Sequence, residues 1–215
     1  NGRWARKLGL TRLMGHRAGV KSVREVVETA ASLGLRVLTL YAFSSENWSR
    51  PRAEVQALMR LLREYLRKEV RELNEQNIRL EAIGRVDALP EAARKELDRA
   101  REATRRNTGL ILVLALNYGG RQEIVEAIRR IPPAIRAEID ERQFSQFLDT
   151  AAYPDPELLI RTSGEMRLSN FLLWQAAYTE LWVTDVLWPD FRKRHFYGAL
   201  IDYQTRERRF GGAGA

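Results

Sequence analysis

Residues 35–43 read LRVLTLYAF, a run that is almost wholly apolar and rich in β-branched and aromatic side chains. Strands buried on both faces have this near-continuous hydrophobicity, as in a parallel sheet covered by helices. The run passes directly into SSENWSR at residues 44–50, so a polar loop follows the carboxyl end of the predicted strand.

Working outward, apolar runs alternate with helical periodicity along the chain. Further strands are predicted at residues 78–83, 110–116, 158–160 and 181–186. The longest helix is predicted for residues 51–77, with Ser49 as N-cap and Pro51 in its first turn. Other helices are predicted around residues 20–31, after Pro90, after Gly120 and over residues 196–208. This alternation predicts an α/β fold, one domain over residues 1–215 with a central parallel β-sheet surrounded by helices.

Composition excludes several classes of protein. A chain of 215 residues that is 45% hydrophobic can bury a sizeable core, which excludes a disordered tail or a disulfide miniprotein. The absence of cysteine excludes thiol chemistry, and two histidines cannot form a zinc cluster, so any metal must be a hard ion on oxygen ligands. No apolar run is long enough to span a membrane, and no signal-peptide pattern opens the chain.

The charge balance indicates an anionic partner. Lys and Arg number 36 against 28 Asp and Glu, a net charge of +8. Nucleic acid, a phosphorylated small molecule and an acidic lipid surface are all compatible with this charge. An RNA-binding protein would need an aromatic stacking platform or a known RNA module, and none is recognisable; steep salt-dependent RNA binding would revive that reading.

Three polar loops follow predicted strands, at residues 44–50, 117–121 (NYGGR) and 161–170 (RTSGEMRLSN). Because ligands of open parallel sheets bind beyond the carboxyl ends of the strands, these loops predict a cationic pocket. Arg161, Arg167 and Ser169 can converge on a phosphate, and a helix beginning at Ser169 would add its N-terminal amides. A solvated turn with helix caps is the alternative.

Other candidates each carry an ordinary structural alternative. The stretch NGRWARK at residues 1–7, with Arg12 and the Gly15-His16 pair, predicts a phosphate-cradling turn or, on composition, a flexible basic terminus. The 44–50 loop predicts a mobile substrate loop or a turn with a packed tryptophan. Glu180 is a candidate metal carboxylate or an ion-paired glutamate, and His16 a proton relay or a structural hydrogen bonder.

Taken together, the motifs resemble the cis-prenyltransferases (isoprenyl transferases), most of all the bacterial members that make undecaprenyl diphosphate. The resemblance covers essentially the whole chain in order and is weakest over residues 131–156. The strings that carry it are NGRWA at 1–5, GHRAG at 15–19, LYAFSSENW at 40–48 followed by Arg50, Pro51 and Glu54, NYGGR at 117–121, RTSGE at 161–165, SNFLLWQ at 169–175, WPDF at 188–191 and RRFGG at 208–212.

The resemblance implies a transferase that condenses isopentenyl diphosphate units, in Z configuration, onto farnesyl diphosphate with Mg²⁺ as cofactor. The product is expected to be undecaprenyl diphosphate, the carrier-lipid precursor for cell-wall synthesis. A shorter-chain synthase and a non-catalytic partner subunit are the alternatives. The family fold implies a homodimer with a hydrophobic tunnel between the 51–77 helix and the sheet, lined here by Leu35, Ala42 and Leu110. A cytoplasmic location is implied, peripheral at the inner face of the membrane through the lipid product.

Site residues follow from the resemblance position by position. Gly2, Arg3, Trp4, Arg12 and Arg50 would hold the allylic diphosphate with His16 nearby, whereas Arg161, Arg167 and Ser169 would hold isopentenyl diphosphate. Ser44, Asn47 and Trp48 would position the reacting carbons, with Ser44, Asn47 and His16 assisting catalysis. Glu180 would share in Mg²⁺ binding, and Arg209 and Gly211 belong to a tail that reaches across the dimer.

One departure concerns the start of the chain. In the family a Met-Asp-Gly precedes Asn-Gly-Arg-Trp, and its aspartate is the main magnesium and catalytic carboxylate, preceded by an interior strand of the sheet. Without that strand we expect unpaired backbone and an apolar slot, which are costly, so an incomplete record or a truncated gene model is favoured. A polypeptide that truly begins at Asn1 should fold poorly and have little activity, and its intact mass would decide the matter.

Overall fold

The computed structural model describes residues 1–207, and these contain seven α-helices and five β-strands. The helices are α1 (Gly2–Lys7), α2 (Arg12–Ser32), α3 (Arg52–Glu75), α4 (Glu91–Thr104), α5 (Gly120–Arg130), α6 (Glu141–Ser145) and α7 (Lys193–Gln204). The strands are β1 (Val37–Ser44), β2 (Arg79–Ile83), β3 (Ile111–Tyr118), β4 (Leu158–Arg161) and β5 (Glu180–Val183). Across residues 1–207, no helix combines the length and the apolar character that crossing a bilayer requires.

All five predicted strands are present and pair in parallel, which confirms the α/β class. The ladder is divided, however, into a three-stranded sheet of order β1-β3-β2 and a two-stranded sheet of β4 and β5. Among residues 1–207, strand β1 pairs through one edge only, with β3. Leu38 and Leu40 of β1 are half-buried and Ala42 is exposed.

The core lies on the face of the three-stranded sheet that α3 covers. Strand β3 is central, and Leu112, Leu114 and Leu116 point into this core. Helix α3 contributes Val55, Met59, Leu66 and Leu73 at helical spacing. The opposite face of the sheet holds a smaller cluster around Val113, Ala115 and Tyr118. Both faces of β3 are therefore covered, as its continuous hydrophobicity predicted.

The start of the long helix differs from the prediction. Helix α3 begins at Arg52 with Pro51 as its N-cap, and Ser49 instead closes a 3-10 turn over Ser45–Ser49. The Ser49 hydroxyl donates 2.7 Å to the Glu46 carbonyl oxygen, so it is used within the turn and cannot cap the helix.

Helix α1 packs directly on α2 because two glycines remove the side chains between them. A Cβ at Gly15 would lie 2.4 Å from the Asn1 carbonyl oxygen and 3.0 Å from the Ala5 Cβ. A Cβ at Gly19 would lie 2.9 Å from the Asn1 side chain. The glycines of residues 15–19 are thus helix-packing residues, and the N-terminal residues form a helix where composition favoured a flexible terminus.

Candidate active site

The three polar loops predicted from the sequence meet at the carboxyl ends of β1 and β3. Asn170 joins them: its Nδ2 donates 2.7 Å to a Glu46 carboxylate oxygen and its Oδ1 accepts from the Arg121 amide at 2.9 Å. The Gly120 amide donates 2.7 Å to the Asn170 carbonyl oxygen. A Cβ at Gly119 would lie 2.6 Å from Asn170 Nδ2, so glycine is required for this close approach.

The loop after β1 is a structured turn. Ser44 and Asn47 form a capping box, in which the Ser44 amide donates to Asn47 Oδ1 at 3.3 Å. Trp48 packs edge-on against Phe43 and donates 2.7 Å from its indole Nε1 to Asn117 Oδ1. Asn117 adopts a left-handed conformation, with φ of 49°, at the end of β3. The loop is therefore held at both ends, with the indole of Trp48 39% exposed beside it.

A first cationic group, the Glu54 cluster, gathers Arg12, Arg50 and His16 around Glu54. The Nη1 atoms of Arg12 and Arg50 donate to different Glu54 oxygens, each at 3.1 Å. His16 Nε2 lies 3.8 Å from Glu54 Oε1. Gly2 lies beside Arg12, since a Cβ there would sit 3.6 Å from Arg12 Cγ. Two guanidinium groups share one carboxylate here and leave a net positive charge.

His16 is held in its neutral form. Burial, with Arg50 nearby, lowers the pKa of His16 to about 4 despite the opposing effect of Glu54. The Asn1 side-chain Nδ2 lies 3.2 Å from His16 Nδ1. A neutral imidazole can accept a hydrogen bond at neutral pH, whereas the lowered pKa makes it a weak base for the predicted relay; its fixed contacts fit the structural alternative.

A second cationic group, the Glu165 cluster, gathers Arg3, Arg161 and Arg167 around Glu165. Arg3 Nη2 and Arg161 Nη2 each lie 3.0 Å from a Glu165 oxygen, and Arg167 Nη2 contacts the same carboxylate. The guanidinium groups outweigh the opposing effect of desolvation and lower the pKa of Glu165. Arg161 Nε is buried and has no hydrogen-bond partner within residues 1–207. Three arginines on one carboxylate leave a strongly cationic site with unused donors.

Helix α1 places the two clusters side by side. Arg3 on α1 reaches the Glu165 cluster and also donates 3.2 Å from Nη1 to the Ser163 carbonyl oxygen. Gly2, the neighbour of Arg3 on α1, lies beside Arg12 of the Glu54 cluster. Arg3 thus joins Arg161 and Arg167 around Glu165, while Arg12 and Arg50 meet around Glu54.

Ser169 differs from the prediction. It does not begin a helix, because residues 169–177 form successive turns. Ser169, Asn170 and Leu172 have φ of 51°, 63° and 46°, a left-handed backbone that a right-handed helix cannot contain. The exposed Ser169 hydroxyl has no hydrogen-bond partner in the described part of the chain. No helix N-terminus faces the Glu165 cluster at this position.

Glu180 is not beside the arginine clusters. It begins β5, opposite Leu158 at the amino end of the β4–β5 ladder, whereas Arg161 ends that ladder. A Glu180 oxygen accepts from Arg206 Nη1 at 2.7 Å, which is the ion-paired alternative. Within residues 1–207 no three acidic or histidine side chains form a group that could hold a metal ion. The described residues alone therefore do not fit a magnesium site.

Trp4, Arg209 and Gly211 are the remaining predicted site residues. Trp4 is half-buried on α1. Arg209 and Gly211 lie outside the described residues, so their predicted role stays a prediction.

A polar cavity of about 240 Å³ lies on the other side of Asn117, and sequence reasoning missed it. Its lining includes Glu123 and Asp149, whose oxygens are taken up by internal donors. Glu123 accepts from the Tyr118 hydroxyl at 2.5 Å and from Gln175 Nε2, and Asp149 accepts from the Gly84 amide and Arg130. Burial raises the pKa of Glu123. The network fixes the end of β3 and offers no free ligand group.

The two carboxylates that organise the clusters, Glu54 and Glu165, had no role predicted from the sequence. Arg50 and Glu54 are four residues apart, as are Arg161 and Glu165. Opposite charges at this spacing often pair on a helix, but Arg50 precedes α3 and Arg161 ends β4, so helical spacing does not explain either pair.

The chain is similar to known prenyltransferases over almost its whole length. The prenyltransferase family model described as "Putative undecaprenyl diphosphate synthase" matches residues 1–211. An isoprenyl transferase of Heliobacterium mobile is 54% identical over 219 residues, covering 99% of this chain and 84% of that protein. The isoprenyl transferase of Clostridium tetani is 51% identical over 218 residues, covering 99% of this chain and 86% of that protein.

Solved structures agree with the sequence comparisons. Lavandulyl diphosphate synthase from Lavandula x intermedia, in complex with dimethylallyl diphosphate, superimposes with a TM-score of 0.94 at 39% identity, over 97% of this chain and 93% of that one. A "probable undecaprenyl diphosphate synthase" from Campylobacter jejuni gives 0.81 at 34% identity, over 91% and 92% of the two chains. With its parallel strands, surrounding helices and paired arginine clusters, the chain belongs to the cis-prenyltransferase family of transferases.

Proposed function

We propose that the protein extends farnesyl diphosphate by successive Z-condensations with isopentenyl diphosphate, giving a long-chain polyprenyl diphosphate, with undecaprenyl diphosphate as the expected product. The observation that carries this proposal is the pair of adjacent arginine clusters at one rim. Two clusters suit a reaction between two substrates that each carry a diphosphate, because guanidinium forks bind phosphate oxygens in a bidentate manner.

The Glu54 cluster is assigned to the allylic diphosphate. Arg12 and Arg50 reach it from α2 and from the loop before α3, and Gly2 leaves room beside Arg12. The structural relative from Lavandula holds dimethylallyl diphosphate, which supports an allylic diphosphate as a ligand of this fold. The Glu165 cluster is assigned to isopentenyl diphosphate, with Ser169 as an additional donor that is free to turn inward.

The clusters would stabilise the charge that develops during the reaction. The allylic carbon–oxygen bond breaks and the diphosphate leaves with its electron pair, while the alkene of isopentenyl diphosphate attacks the allylic carbon. Guanidinium groups fixed in advance by Glu54 stabilise the departing anion without reorganising at that moment. A base then removes a proton from the carbon next to the new cationic centre, the electron pair of that C–H bond forms the new double bond, and the released diphosphate leaves the site.

The 44–50 loop would position the reacting carbons. Ser44 and Asn47 hold each other in the capping box, and Trp48 presents an apolar ring beside them. A ring at this place helps to exclude water from a carbocation-like carbon, and the polar pair can accept or relay the proton. His16, neutral at physiological pH, is close enough to the Glu54 cluster to interact with the leaving group.

The growing chain would extend along the open side of β1, beneath α3. Leu38 and Leu40 pack at the edge of the main core, and Ala42, at the register shift between Tyr41 and Phe43, is exposed. Leu35 is half-buried just before β1, whereas Leu110 is buried with 3% exposure in the core. Each added C5 unit would gain roughly 0.8 kcal/mol per buried CH₂ group, which favours movement of the tail inward.

Several properties carried by the resemblance belong to the same proposal. Magnesium would be required, with diphosphate oxygens as ligands; Glu180, paired with Arg206 at the far end of the β4–β5 ladder from Arg161, is not placed to share it. A homodimer is supported by exposed apolar side chains on one face of α5, Val125 and Ile128. A cytoplasmic location with peripheral membrane contact through the lipid product completes the proposal.

The experiment is incubation with farnesyl diphosphate, labelled isopentenyl diphosphate and Mg²⁺, with products sized by chromatography. Labelled polyprenyl diphosphate of about eleven C5 units is expected, and a ladder stopping earlier would indicate a shorter-chain synthase. No incorporation with any allylic primer, from a folded chain of verified mass, would contradict the proposal.

A further inference from the structure

The turn between α1 and α2 exposes apolar side chains among basic ones. Leu8, directly after α1, is 56% exposed, and Met14, in the first turn of α2, is 47% exposed. We call the patch formed by these two residues and the neighbouring basic side chains the α1–α2 surface. Its basic members are Arg6, Lys7, Arg17 and Lys21.

The basic side chains of this surface are available for a ligand. All four are exposed. In contrast to Arg12 and Arg24 on the same helix, which pair with Glu54 and Glu69, none of the four forms an ion pair with any residue from 1 to 207. Met14, Arg17 and Lys21 follow one another at spacings of three and four, so they share one face of α2. An exposed apolar pair with four uncompensated positive charges is unusual for a monomeric surface.

A shallow groove continues this surface between α2 and α3. Its volume is about 310 Å³, and its lining combines three apolar residues, Leu13, Ala57 and Leu61, with Arg17, Arg60 and Glu64. Apolar side chains beside two arginines and one glutamate suit an amphiphile that has an acyl chain and an anionic headgroup. The lining residue Leu13 directly follows Arg12 of the Glu54 cluster, so the surface and the candidate active site share the amino-terminal end of α2.

We propose that the α1–α2 surface docks the protein on membranes that contain anionic phospholipids, with Leu8 and Met14 inserted among the headgroups. We infer this partner from charge complementarity, because an anionic leaflet attracts clustered Lys and Arg while exposed apolar side chains enter its interface. The inference rests on the proposed function in one respect: a water-insoluble polyprenyl product formed beside this surface would pass directly into the leaflet.

The test is flotation of the full chain with vesicles of phosphatidylcholine alone or with 30% phosphatidylglycerol. Binding to the anionic vesicles is expected, with little binding to the neutral ones and a decrease at high salt. The double variant Lys7→Glu with Arg17→Glu should weaken binding by about 25-fold or more, because each basic residue near an anionic leaflet contributes roughly a factor of five. Leu8→Ser with Met14→Ser should weaken binding at high salt as well as at low salt.

A matched control carries the same change of charge elsewhere. Arg99 and Arg106 are exposed at and just after α4, which packs on α3 and β2 rather than on α1 or α2, and the variant Arg99→Glu with Arg106→Glu should bind vesicles as the parent does. Equal loss in this control would show that only net charge matters and would overturn the assignment. So would equal binding to neutral vesicles, or selective binding of RNA with no binding of anionic vesicles.

Activity separates this inference from the proposed function. With substrates in detergent, Lys7→Glu with Arg17→Glu should keep the parental turnover, because neither residue belongs to either arginine cluster. Full turnover without anionic-vesicle binding in the parent would overturn the docking surface alone. Absent turnover with intact, charge-dependent docking would contradict the proposed function alone.

Discussion

Asn170 offers the sharpest test of how the site is assembled. Its side chain holds the loops after β1 and β3 together, through Glu46 and the Arg121 amide, and its φ of 63° is tolerated by glycine. Asn170→Gly therefore removes two hydrogen bonds, one to a carboxylate, without adding backbone strain. We expect a loss of about 2 kcal/mol in the free energy of unfolding, since the bonds are partly exposed to water.

A second asparagine provides a matched control. Asn77 also has a left-handed backbone, with φ of 55°, and makes two side-chain hydrogen bonds with Thr108, to its hydroxyl at 3.1 Å and from its amide at 2.9 Å. It lies just before β2, at the amino end of the sheet and away from the three loops. Asn77→Gly should cost a similar free energy of unfolding, about 1 to 2 kcal/mol, without touching the candidate site.

Steady-state kinetics then distinguish a substitution that only lowers stability from one that also disturbs the candidate site. Without the Asn170 side chain, the arrangement of the two loops that binds substrate should become about 1.4 kcal/mol less favourable. In that case kcat/KM for isopentenyl diphosphate falls about tenfold in Asn170→Gly. The same constant should stay within about twofold of the parent in Asn77→Gly. Urea unfolding followed by circular dichroism and steady-state assays with labelled isopentenyl diphosphate supply both quantities. Equal kinetic effects in the two variants, or none in Asn170→Gly, would refute the reasoning.

Three other changes test separate parts of the account. Ala42→Leu fills exposed space beside β1 and should shorten the product, as chromatography would show, whereas an unchanged chain length would remove Ala42 from the wall. Because the pKa of His16 is lowered to about 4, its neutral form stabilises the fold fully above pH 6.5, and this contribution is lost as pH falls from 6.5 through 4. Between pH 7 and pH 4, the free energy of unfolding of His16→Gln should therefore fall by roughly 2 kcal/mol less than that of the parent. An equal fall in the two proteins, measured by urea unfolding, would argue against a buried neutral imidazole. Glu165→Gln frees three guanidinium groups and should tighten the binding of inorganic pyrophosphate several-fold by calorimetry, while weaker binding would mean that the carboxylate is needed to arrange them.

Much of the fold could be predicted because the decisive strands are continuous in sequence. The run at 35–43 and the run at 110–116 are β1 and β3, each within two residues at its ends. What the pattern could not predict is the division of the strands into two sheets, because periodicity reports which residues are buried and not which strands are neighbours.

The site was predictable where arginines lie near strand ends and less so where the backbone is irregular. Arg161 and Arg167 meet as predicted, but the expected helix after Ser169 is replaced by turns with left-handed residues, which single-residue propensities do not reveal. The role of Gly15 was also missed, because a glycine that admits a neighbouring helix has the same sequence signal as one that cradles a phosphate.

The most direct test of the two-cluster account is a crystal structure of the protein with isopentenyl diphosphate and a non-cleavable thiolo analogue of farnesyl diphosphate. We predict one diphosphate within hydrogen-bond distance of Arg12 and Arg50, and the other within hydrogen-bond distance of Arg161 and Arg167, with Arg3 between them. Both diphosphates in one cluster, or either of them in the polar cavity beside Asp149, would contradict the account.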